Sequence, residues 1–240
     1  MSVPAPTVVK GEMRLTKDTV ISGTRILLDA PRVVTNGFTF ELSAETIEAR
    51  GTASIVAFES AADRAPGSPG RGAGLLVIRA ARAIGPPPSI DNSGEDGAPG
   101  ARGPSGARGD AGKQGSQRRW EPVGGCVGGT NGSAGVVGGP GGDGGAGGAG
   151  GHGGIVLLDV REGWKTLAAQ VVVNGGRGGR GGEPGPGGPG GAGGQAAPGI
   201  ALCGGTDPGP TGPAGPPGRP GLDGPDGSPG TVRLRPKASA

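Results

Sequence analysis

The sequence predicts a mainly β and irregular fold with essentially no α-helix: a short β-solenoid-like base joined to an intrachain bundle of four polyproline-II (polyglycine-II) helices, arranged as two antiparallel hairpins. Three observations predict it. Of 240 residues, 60 are Gly and 25 are Pro, the two residues that most oppose helix and sheet interiors. From Thr7 to Asp91, short apolar runs alternate with turn residues and no helical period is sustained. Beyond Asp91, glycine recurs at every third position, the repeat of a polyproline-II helix.

The base comes first along the chain, over residues 1–93. Runs such as Val8-Val9, Met13 to Leu15, Ile26 to Leu28, Phe38 to Leu42, Ile55 to Phe58 and Leu75 to Ile78 are bounded by Asp18, Gly23, Asn36-Gly37 and Gly51. Strands this short with small spacers suit stacked solenoid turns; a small β-sandwich is the alternative. The glycine-rich region, 94–231, contains an expected strand pair at 155–173, and residues 232–240 give a closing strand and tail.

Within that region the repeat divides into four tracts: Gly94 to Gly115, Gly129 to Gly153, Gly176 to Gly194 and Gly209 to Gly230. A polyproline-II helix makes no hydrogen bonds to itself, so its amides need neighbours, and only glycine lets main chains approach closely enough. Tracts two and three carry glycine at two of three positions, as in Gly138-Gly139-Pro140-Gly141-Gly142, and are expected inside. Tracts one and four carry mainly one glycine per triplet, with Pro, Arg, Asp and Ser between, and are expected outside. The core glycines expected from this pattern are Gly138, Gly141, Gly144, Gly147, Gly150, Gly182, Gly185, Gly188 and Gly191. A collagen trimer, suggested by Gly212-Pro213-Ala214-Gly215-Pro216-Pro217-Gly218, would not use the glycine surplus of tracts two and three. Disorder of the whole region is the other alternative.

The repeat over about residues 92–231 resembles that of glycine-rich polyproline-II bundle proteins: springtail antifreeze proteins and the tail-fibre tip adhesins of some T-even-like phages. In the adhesins, loops at the bundle end contact a bacterial surface receptor. The chain departs from the antifreeze group in its many Arg, Asp and Glu residues and its lack of a Thr-rich face. It departs from the phage group in carrying β segments between tracts, a pattern that is similar to bacterial collagen-like or glycine-rich surface proteins.

The two cysteines, Cys126 and Cys203, fall in the turning segments after tracts one and three, so a disulfide between them is expected, with two free buried thiols as the alternative. The same segments, 118–127 and 195–206, hold Trp120, Val123, Ile200 and Leu202, which are candidates for a contact surface or for a cap in which they pack on one another. Trp164 is expected to cover the base. His152 stands alone in Gly-Gly-His-Gly-Gly, and Arg108-Gly109-Asp110 arises readily by chance in a tract of this composition. No catalytic residue, metal ligand set or cofactor motif is predicted: two cysteines and a distant histidine fall short of a zinc site, and no glycine run has the strand and helix context of a phosphate loop.

Twenty-three Lys and Arg against 20 Asp and Glu are spread without a basic cluster or stacking aromatics, so no nucleic-acid partner is expected. No run approaches a membrane span, and no secretory signal is recognisable at the N-terminus. The expected role is a non-enzymatic structural subunit of an extracellular or surface fibre, self-associating through its β base into an oligomer or filament. The alternative is an adhesin at a phage or bacterial fibre tip that binds a cell-surface receptor or polysaccharide. Either places the protein outside a cell or on a cell or virion surface.

Overall fold

A computed structural model describes residues 5–59, 64–164 and 167–234; the expected tail at 235–240 lies outside them. The fold is mainly β, and among the described residues its one helical element is a single 3-10 turn, Leu167–Gln170. The chain forms two compact units. One comprises Met1–Pro99, Gly147–Arg180 and Asp223–Ala240, the other Gly100–Ala146 and Gly181–Leu222. The division cuts within the tracts, so their first and last triplets belong with the β-strands.

The first unit is built on a parallel sheet. Its strands are β1 (Thr7–Arg14), β2 (Thr19–Val34), β3 (Phe40–Arg50), β4 (Ser54–Val56), β5 (Leu75–Ile84) and β6 (Ser89–Asp91). Two further strands, β7 (Ser116–Glu121) and β8 (Gly125–Thr130), lie in the other unit. The sheet resumes with β9 (Ile155–Glu162), β10 (Val171–Val172) and β11 (Thr231–Leu234). All its pairings are parallel, in the order β10-β6-β4-β2-β3-β5-β9-β11, with β1 also against β2. The small β-sandwich, the alternative from sequence, does not describe this parallel sheet. Successive turns repeat one path: Thr19 lies opposite Phe40, Phe40 opposite Leu76, Leu76 opposite Val156, and Val156 opposite Val232.

Alternation puts branched aliphatic side chains inward, so each turn stacks like on like. One inward row runs Leu42, Ile78, Leu158 and the next to it Phe40, Leu76, Val156, all at most 5% exposed. Trp164 joins this core, and its indole N–H donates to the Gly85 carbonyl at 3.0 Å. One corner between β2 and β3 is turned by Asn36 and Gly37, both at positive φ, the backbone form that Asn-Gly tolerates. The Asn36 side-chain amide donates to the Leu15 carbonyl of the turn before it, at 2.9 Å.

The segment 155–173 departs from the expected strand pair. β9 pairs with β5 and β11, β10 pairs with β6, and the Leu-Ala-Ala-Gln run between them, made of good helix formers, takes the 3-10 turn. A second departure is at 64–74, where a short fifth segment joins the tracts. Gly70 and Ala73 donate to the carbonyls of Ala149 and His152, while Glu95 and Ala98 donate to those of Arg71 and Ser68. Glu95 fastens it: its carboxylate, 5% exposed, accepts from the Arg71 backbone N–H and guanidinium and from Arg64 at 3.0 Å.

In the second unit the four tracts bond main chain to main chain at every third residue. Tract two donates to tract one in opposite sequence order, from Gly145 to Ala101, Gly142 to Pro104 and Gly139 to Ala107, at 2.7–2.8 Å. Tract one donates to tract three in the same order, through Gly103, Gly106 and Gly109 to Glu183, Pro186 and Pro189. Tract three donates to tract two, tract two to tract four, and tract four to tract three. Proline fits this scheme because it lacks only the donor: Pro104, Pro186, Pro189, Pro213 and Pro216 all serve as acceptors.

Candidate contact surface

The glycines explain how close the second unit's chains lie. A Cβ added at Gly138, Gly141 or Gly144 would fall 1.9–2.1 Å from the carbonyl oxygens of Gly188, Gly185 and Gly182. One at Gly182, Gly185, Gly188 or Gly191 would fall 1.8–1.9 Å from those of Ala101, Pro104, Ala107 and Asp110. In the first unit, a Cβ added at Gly147 or Gly150 would fall 1.9 and 2.0 Å from the Gly179 and Gly176 oxygens. No side chain fits such a gap, and each contact is with backbone that other bonds already hold.

Where tracts one and three end, the second unit carries two turning segments. The first, expected as a loop, is an antiparallel hairpin of β7 (Ser116–Glu121) and β8 (Gly125–Thr130). Its apex is Pro122-Val123-Gly124, and Gly125, Gly128 and Gly129 take positive φ. Arg119 pairs with Glu121 at 2.8 Å, and the Ser116 and Thr130 hydroxyls meet at 3.0 Å. The second segment, 195–206, is closed by a reciprocal backbone pair between Ile200 and Cys203, both 2.9 Å, and by the Ala197 N–H donating to the Thr206 hydroxyl. At its exit the Asp207 N–H donates to the Asn131 side-chain carbonyl at 3.0 Å, tying the two segments' ends together.

A disulfide joins them. Cys126 and Cys203 are bonded with Cα atoms 5.5 Å apart and lie 77 positions apart in sequence. Cys203 is buried and Cys126 exposed. The oxidised Cys126 sulfur has no proton to donate, so its 3.1 Å approach to the Leu202 carbonyl is a packing contact. Trp120 lies directly across the hairpin from Cys126. Trp120, the disulfide, Ile200 and Leu202 therefore form one linked element.

The expected contact residues are not hidden by it. Val123 is fully exposed, Leu202 is 67% exposed, Trp120 47% and Ile200 39%. Mutual capping would have buried Val123 and Leu202, and it does not. Arg118 and Arg119 stand beside them, also exposed.

His152 belongs to the first unit and has a partner that its sequence context conceals. The Ser228 backbone N–H and hydroxyl both lie within 3.0 Å of its Nδ1, which accepts from the amide and so leaves the ring proton on Nε2. This fastens tract two to tract four. Among the described residues no group of three or more His, Cys, Asp or Glu could hold a metal ion, and no helix is long and apolar enough to cross a membrane. No protein-family model and no curated protein matches the chain.

Proposed function

We propose that the chain is a non-enzymatic structural subunit of an extracellular or surface fibre, assembling with further copies through its parallel sheet. One observation carries the reading: the sheet ends on both sides in strands paired along one edge alone, β1 at one end and β10 and β11 at the other, among the described residues. Strand edges of this kind present free N–H and C=O groups to another chain. We read the glycine-rich half as a polyproline-II bundle of two antiparallel hairpins with tracts two and three inside; the bond at every third residue and the main-chain contacts of the glycines support this. Negative-stain microscopy of the purified protein tests the assembly. Filaments that lengthen with concentration are expected, and a protein that stays monomeric at high concentration overturns the reading.

A second reading is favoured by the disulfide-joined segments. A purely structural turn could be polar, whereas Trp120, Val123 and Leu202 are held outward on a covalently fixed frame, the character of an adhesive contact. Its ligand would be a cell-surface receptor or polysaccharide. Exchange of residues 118–127 and 195–206 for glycine-serine linkers of equal length should abolish adhesion to whole cells while leaving the sheet's circular dichroism intact. Unchanged adhesion removes this reading.

A further inference from the structure

Both ends of the parallel sheet stop part-way round a turn, and they stop at complementary places. At one end β1 pairs with β2 only from Ile26 to Val34, so the Thr19–Arg25 edge has no strand paired to it on that side among the described residues. At the other end β11 covers β9 from Ile155 to Leu158, and the outer edge of β10 has no strand paired to it among the described residues. The pairing registers put both ends on one scale. Val232 continues the row Thr19, Phe40, Leu76, Val156, and Leu234 the row Ile21, Leu42, Ile78, Leu158. Met13 begins the row Val33, Ile55, Ile90, Val171. β11 thus occupies row positions that β1 leaves empty, and β1 those that β11 leaves empty.

We infer that consecutive copies of this chain share one turn, β11 of one copy and β1 of the next lying at the same level and completing it together. The inference rests on the filament reading and gives its register. Val232, Arg233 and Leu234 pair in parallel with Thr19, Val20 and Ile21 of the next copy, while that copy's Met13 and Arg14 pair with Val171 and Val172 of the first.

Three features favour a second copy over any other occupant. The core residues left only partly buried include Met13 and Ile21 at one end and Val171 and Val232 at the other, and Leu234 is 62% exposed. In the shared turn Leu234 covers Ile21 and Val171 meets Met13, so each inward row runs on into the next molecule. The new main-chain bonds keep the parallel geometry already used between turns. Charges also match: Arg233 comes onto the strand beside Asp18, two positions away. That is the offset at which Arg79 meets Glu41 within one chain. A head-to-tail contact that does not close on itself produces a filament.

The test uses the full chain carrying both Arg233→Cys and Val20→Cys. Residues facing each other on neighbouring strands stand about 4.8 Å apart, within the range a disulfide spans. Mild oxidation should give a ladder of covalent multimers on a non-reducing gel, collapsing to monomer on reduction. Arg233→Cys with Val8→Cys, out of register, should give none. Filaments without a ladder from the first pair would overturn the shared turn and leave the filament reading standing. A ladder from both pairs would overturn the register, and an absence of both filaments and ladder would overturn both readings. A second variant, Ile21→Lys, should leave the monomer folded and stop assembly; filaments from it would also count against the shared turn.

Discussion

The parallel sheet and the glycine-rich tracts solve the same problem with opposite means. Both pair their backbone groups with chain segments distant in sequence. In the sheet the gap between layers is filled by side chains: Phe40, Leu42, Ile47 and Ile78 are at most 1% exposed. In the tracts there is nothing to fill, because the neighbouring main chain occupies the place where a Cβ would be. Truncation is therefore the damaging change in one region and enlargement by a single methyl is the damaging change in the other.

The largest effect should come from Gly185→Ala. The added methyl would meet the Pro104 carbonyl oxygen at 1.9 Å, and tracts one and two confine the site. We expect a loss of about 5 kcal/mol or more, read as unfolding of the second unit by Trp120 fluorescence in a Trp164→Phe background. Gly204→Ala, in the same unit with open space around it, should change stability by less than about 0.5 kcal/mol. Equal effects at the two positions would break the contrast. Next is Ile78→Ala in the sheet, expected to cost about 2–5 kcal/mol by loss of transfer energy and a residual cavity, followed by Trp164 fluorescence in denaturant.

Loss of the disulfide should follow at about 2–4 kcal/mol, measured on the Cys126→Ser, Cys203→Ser double variant. The effect should appear in the second unit's transition and leave the sheet's unchanged. The smallest effect concerns pH. Burial pushes the Glu95 carboxyl up, but its hydrogen bonds to Arg71 and the charges of Arg71 and Arg64 outweigh this and hold it below its ordinary value of 4.5. Its contribution is thus present above that value and is lost as pH falls through the lowered folded one. Glu48 and Glu59 are held down likewise, by Arg25 and Arg50 and by Arg32 and Arg14. The first unit's denaturation midpoint should be level down to about pH 5 and fall below it, less steeply in Glu95→Gln; an identical fall in that variant would remove Glu95 from the account.

The β character of residues 7–91 was legible because the inward rows are written as short aliphatic runs, and the disulfide because its two cysteines fall in corresponding turning segments. Other features had no local signal. Segment 64–74 is too short to show the triplet repeat, its glycines at 67, 70, 72 and 74 keeping the spacing only once, and its partners at Ala149 and His152 are far along the chain. The 116–130 hairpin has glycine where alternating apolar residues would mark strands, since its backbone needs positive φ at Gly125 and Gly128. Leu167–Gln170 looked like strand because Leu and Ala are apolar, yet these residues also favour a helical turn. Ser228 is 76 residues from His152, and neither position suggests the other.

Both long excursions of the chain leave and rejoin the sheet at equivalent points, departing after Asp91 and Val172 and returning at Ile155 and Thr231, with strand register kept across each. The sheet is therefore indifferent to how many residues lie between departure and return. An arm can gain or lose whole triplets, provided the arms bonded to it change by the same number. Reach becomes a quantity that duplication or deletion of nine-base units could set gradually, with no strand redesigned.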